Sequence, residues 1–120
     1  MTKRVISPFR LATIQALATW TSAVTNCLQY DGMSYLISWA DNTGTGHFVV
    51  EASTFDDKVG EVASWAILED LDNIPVSGAT GTNLININAI MFERIRIRYV
   101  ADTASTGTFS INVCSKTIGA

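Results

Sequence analysis

Charge is scarce in this sequence: 16% of its 120 residues are Asp, Glu, Lys or Arg, against about 25% in ordinary soluble domains. What charge there is leans acidic. Eight Lys and Arg face eleven Asp and Glu, a net charge of −3 with a pI near 4.9. That balance argues against generic nucleic-acid binding, which needs a strongly basic surface. Histidine occurs once, at His47, and neither a CxxC nor an HExxH spacing is present, so a zinc site has no ligand set to build on. The two cysteines, Cys27 and Cys114, are too few for a disulfide framework; two free thiols in a reducing compartment are expected. No apolar run approaches the roughly 18 residues of a membrane-spanning helix. The opening MTKRVISPFR carries a basic patch without the apolar stretch of about 7–15 residues that a secretory signal requires, so none is expected.

Apolar residues, by contrast, make up 48% of the chain, and its mean hydropathy is +0.24. A chain of this length is one domain, at most with a terminal arm. Small domains expose much surface for their volume, so sparse charge leaves much of that surface neutral. It is either coated by Ser, Thr, Asn and Ala or covered by another subunit, and both are expected.

Residues 1–21 stand apart. Lys3, Arg4, Pro8 and Arg10 precede LATIQALATW, where Leu11, Ile14, Leu17 and Ala18 recur at helical spacing. So short a helix is marginal alone and its Thr and Ile residues weaken it further, which favours an extended arm crossing a neighbouring subunit. From residue 22 onward a two-residue period takes over. It places Tyr35, Ile37 and Trp39 on one face of a strand, and Phe48, Val50 and Ala52 on one face of the next. The DNTGTG turn between them makes a hairpin. Trp65 with Ile67, Ile85 with Ile87, then Ile95, Ile97 and Tyr99, and finally Phe109, Ile111 and Val113 continue the pattern as core faces. With SAVTNCLQY before them, these segments make an all-β chain. The expected fold is an antiparallel β-sandwich or jelly roll of about seven to eight short strands over residues 22–120, preceded by an N-terminal arm over 1–21.

Few residues form a chemical constellation. His47 lies at a glycine turn without an evident orienting partner, so a nucleophile–base system has no support. Asp56-Asp57 and Glu69-Asp70-Leu71-Asp72 could offer oxygen ligands to a hard cation, but they lack EF-hand spacing and read as solvated loop carboxylates. No metal, cofactor or catalytic residue is expected. The sharpest local feature is Arg94, Arg96 and Arg98, which recur every ~7 Å along one strand face. Such a row can meet an acidic partner or make cross-strand ion pairs with residues such as Glu51; a partner contact is the expectation. Trp20, just before the sheet begins, and Arg10, in the arm, join them as expected interface residues. Leu36, Val49 and Leu68 fall on outward positions and call for cover.

The succession SYLISW, GHFVVEAS, SWAIL, IPVSG, FERIRIRY, STGTFSI and a closing KTIGA resembles small β-sandwich virion proteins of tailed bacteriophages. These are auxiliary head or decoration proteins and related structural subunits. The resemblance spans about residues 22–120 and rests on strand-and-turn rhythm. It implies a non-enzymatic protein that binds a major capsid or other virion protein and is located in the virion. It also implies a homo-oligomer, with a trimer favoured; charge and hydropathy already leave neither a membrane nor a nucleic-acid partner expected. The same rhythm is similar to discoidin-type and other carbohydrate-binding β-sandwiches, although those modules run longer. Glycan attachment is therefore the alternative function.

Overall fold

The computed structural model of the chain describes residues 3–17, 19–27, 30–54, 65–88, 90–103 and 105–119; at 3–17, 105 and 117–119 it describes the backbone path alone. The described residues contain strands and no helix, arranged as two antiparallel sheets packed into a β-sandwich. The first sheet runs in the order β1 (Lys3–Leu17), β10 (Ser105–Gly119), β4 (Gly32–Ala40), β8 (Gly81–Ile87). In the second, β9 (Arg94–Ala101) pairs with β5 (Gly46–Ser53). The short strands β2 (Trp20–Thr21) and β3 (Thr25–Asn26) share the other side of β9, and β6 (Ala66–Ile67) and β7 (Ile74–Val76) share the far side of β5. Most connections carry the chain from one sheet to the other.

Alternation produces this arrangement. On β9, Ile95, Ile97 and Tyr99 are fully buried while Arg94, Arg96 and Arg98 point away. On β4, Tyr35 and Ile37 are fully buried and Trp39 nearly so. On β10, Phe109, Ile111 and Val113 complete the core. The sheets meet through aromatic rings: Tyr99 and Phe48 of the second sheet stand against Phe109 of the first, with centroids 5.0 Å and 5.7 Å away, and Trp39 packs on Phe109 at 6.2 Å. The Tyr99–Phe109 contact is edge-on at 89°, the arrangement that a ring's negative face and positive edge favour, worth about 0.5–1.5 kcal/mol beyond the area it buries.

Several expectations are corrected here. The DNTGTG turn does not close a hairpin: β4 and β5 lie in different sheets, and the turn carries the chain from one layer to the other. Residues 3–17 are not an arm reaching away from the domain. They form the outer strand of the first sheet, in register with β10 from Lys3↔Gly119 to Leu17↔Ser105. The helical alternative is not adopted, because strand pairing satisfies backbone groups that a two-turn helix would leave largely open at its ends. Trp20–Thr21 is also within the sandwich, paired with β9. Of the described residues of SAVTNCLQY, Thr25 and Asn26 alone pair as strand. The register shifts by one residue between β2 and β3, and buried Ser22 spans the break: its amide donates to Ile97 O at 2.9 Å and its Oγ accepts from Ile97 N at 3.0 Å. Ile74–Val76 pairs with β5 as β7. Val49, expected outward and in need of cover, is buried at 2% exposure. It lies on the outer side of a central strand, directly opposite Arg98.

Gly46 begins β5 directly beneath Tyr99. A Cβ there would run into the Tyr99 phenol and come within 2.7 Å of Val100 O. Gly46→Ala should therefore destabilise the fold by about 1–3 kcal/mol, read as a lower urea midpoint. The control is Tyr35→Phe, which removes a buried hydroxyl that has no hydrogen-bond partner; it should leave the midpoint unchanged or raise it.

Candidate functional site

The outer faces of the two sheets differ in chemistry. On the second sheet the β5–β9 register sets Glu51 opposite Arg96, Val49 opposite Arg98 and Ser53 opposite Arg94. Arg96 Nε donates to Glu51 Oε1 at 3.0 Å, and Arg98 Nε approaches the same oxygen at 3.5 Å. The Glu51 side chain is only 10% exposed, so this carboxylate is held under the two guanidiniums that neutralise it. Arg96 also lies over the Trp65 ring, 4.1 Å from its centroid, a cation–π contact. Trp65 is thereby corrected: its ring caps the arginine row and does not enter the core, and Ile67, its expected companion there, is 48% exposed. The arginine row makes the cross-strand ion pairs weighed against the partner contact, with Glu51 as their acid.

The five residues expected at an interface do not form one patch. Arg94, Arg96 and Arg98 share the outer face of the second sheet. Trp20 stands opposite Tyr99 and packs against the rim of the core, because a residue directly across from an inward one also points inward. Arg10 belongs to β1 in the other sheet, opposite Asn112, and its side chain is outside the described residues.

The outer face of the first sheet is uncharged over most of its area. Ser34, Leu36, Ser38 and Ala40 of β4 lie beside Thr82, Leu84 and Asn86 of β8 on one side and Thr108, Ser110, Asn112 and Cys114 of β10 on the other. Leu36 and Leu84 are directly opposed and exposed at 39% and 56%. Leu36 matches its expectation, whereas Leu68 is half-buried against the core. Leu84 was missed, although its place out of phase with Ile85 and Ile87 marks it as outward. Hollows of about 200 Å³ and 230 Å³ lie at the two ends of this face, the first bounded by Lys116 and Asn86 and the second by Thr82 and Thr108.

The remaining candidates do not converge. His47 Nδ1 faces Asp102 Oδ1 at 3.7 Å, longer than a hydrogen bond. Among the described residues no group of three or more His, Cys, Asp or Glu could hold a metal ion. Asp56-Asp57 is outside them, and Glu69 and Asp70 form an exposed turn in which Asp70 takes φ 64. Both cysteines are free. Cys27 is buried, and desolvation pushes its thiol up to about 12. Comparison of the chain with protein-family models, curated proteins and solved structures found no match in any of the three.

Two outcomes follow from these sites. Glu51→Ala leaves two guanidiniums facing each other without their shared carboxylate and should cost about 1–3 kcal/mol. Part of that loss should be recovered in high salt, which screens the repulsion, and a denaturant series at two salt concentrations reads both. For the thiols, native protein at pH 8 should be labelled by a soluble disulfide reagent at half-buried Cys114 while Cys27 resists, and both should react after unfolding. Because the folded Cys27 thiol is raised above its ordinary 9.0, its contribution to stability is complete below pH ~9 and falls as pH rises towards about 12.

Proposed function

We propose that the chain is a non-enzymatic structural subunit of a virion, a self-associating β-sandwich that decorates or stabilises a viral shell. The observation that carries this reading is the uncharged stretch of the first sheet's outer face across β4, β8 and residues 108–114 of β10, with Leu36 and Leu84 exposed side by side. A lone small protein keeps its surface charged, whereas subunit contacts are depleted of charge at their centre. The strand orders β1-β10-β4-β8 and β2/β3-β9-β5-β6/β7 support a jelly roll, an architecture used by viral capsid domains, lectins and cupins. Fold alone does not choose among these; the neutral face favours the assembling kind. The glycan alternative needs an aromatic ring open to a sugar. The three indoles are engaged elsewhere: Trp39 is 7% exposed, Trp20 packs on the core rim and Trp65 lies under Arg96.

Light scattering on the purified chain over a concentration series should give one multi-subunit mass. Sedimentation with shells of the virus that encodes it should carry the chain down with them. A monomer at every concentration, absent from the shell pellet, would remove the reading.

A further inference from the structure

The first sheet ends at β8, whose side away from β4 has no strand beside it among the described residues. An open strand edge presents a row of amide and carbonyl groups that will pair with another chain, and proteins ordinarily blunt such edges with charge, proline, bulges or brevity. Three of the four edges here are blunted. The outer edge strand β1 carries Lys3, Arg4, Pro8 and Arg10, and its pairing is broken by two register shifts. Strands β2 and β3 are two residues each with a shift between them. Strands β6 and β7 are two and three residues, and β7 contains Pro75. By contrast β8, Gly-Thr-Asn-Leu-Ile-Asn-Ile, has seven residues, no charge and no proline, and it follows β4 without a shift from Met33↔Ile87 to Trp39↔Gly81. It is a long, flat, unprotected edge.

We propose that this edge is a homodimer contact, in which the β8 strands of two copies pair antiparallel about a two-fold axis through Leu84 and join two four-stranded sheets into one of eight. The proposal rests on the self-association reading and names its surface. The occupant is a second copy because the strand complements itself. With Leu84 opposite its own counterpart, Thr82 meets Asn86, Asn83 meets Ile85 and Gly81 meets Ile87. Every residue keeps its face, and no two like charges meet. Leu36 is already opposite Leu84 within each sheet. The pairing therefore sets four leucines in one row across the joint, at about 4.8 Å per strand, and gives Leu84, 56% exposed, an apolar neighbour on its open side.

The test uses the full chain. Directly opposed residues have Cβ atoms about 4.5–5.5 Å apart, close to disulfide reach. Leu84→Cys in a Cys114→Ser background should therefore cross-link to a covalent dimer under mild oxidation. Thr82→Cys in the same background, on the same face but roughly 14 Å from its own counterpart, should not. Leu84→Lys sets ammonium against ammonium and should halve the mass in light scattering with the thermal melt unchanged; if this variant fails to fold, the cross-linking pair decides. Equal cross-linking at both positions, or an assembly with an odd number of subunits, overturns the two-fold pairing. A wild-type multimer whose mass survives Leu84→Lys, with no cross-link at 84, overturns this contact and leaves self-association standing. A wild-type monomer at all concentrations overturns both.

Discussion

The sandwich depends on a ring contact between its layers. Phe109 of β10 meets Tyr99 of β9 edge-on and Phe48 of β5 at a tilt. Neither sheet can bury its apolar side without the other, so these rings set the distance between layers and the angle at which they meet. The glycine at position 46 follows from the same contact, because the backbone of β5 must pass directly under the Tyr99 phenol.

Burial on the inner side then decides what the outer sides can do. Once Ile95, Ile97 and Tyr99 point inward, the three arginines of β9 have to point outward, and the register with β5 sets Glu51 between two of them. A nearly buried carboxylate in that position neutralises part of the row, and the Trp65 ring stacks on Arg96. The arginine face is thereby largely occupied by its own sheet. The other outer face has no such internal partner and offers serine, threonine, asparagine and two leucines to whatever lies against it.

The two faces thus differ in what they leave free. A packed ionic face stabilises the second sheet from outside, while a neutral face with an unprotected strand edge leaves the first sheet open to continuation. Apolar area exposed at an edge is worth little to a monomer and gains value only when another chain removes it from water.

The sequence by itself determined the inward faces of β4, β5, β8, β9 and β10 and the class of fold. A two-residue period is a local property of the chain: Tyr35/Ile37/Trp39, Ile95/Ile97/Tyr99 and Phe109/Ile111/Val113 can be assigned a side without knowing what faces them. It also placed Leu36 outside, and carried the same signal for Leu84. Only the tertiary structure decided which strands are neighbours. That choice turned residues 3–17 from an arm into an edge strand, buried Val49, turned Trp20 toward the core and laid Trp65 against Arg96. Each of these depends on a partner distant in sequence, from Leu17↔Ser105 to Glu51↔Arg96. Pairing between remote segments leaves no periodic trace in either one, because it is selected by the global fit of two sheets around one core.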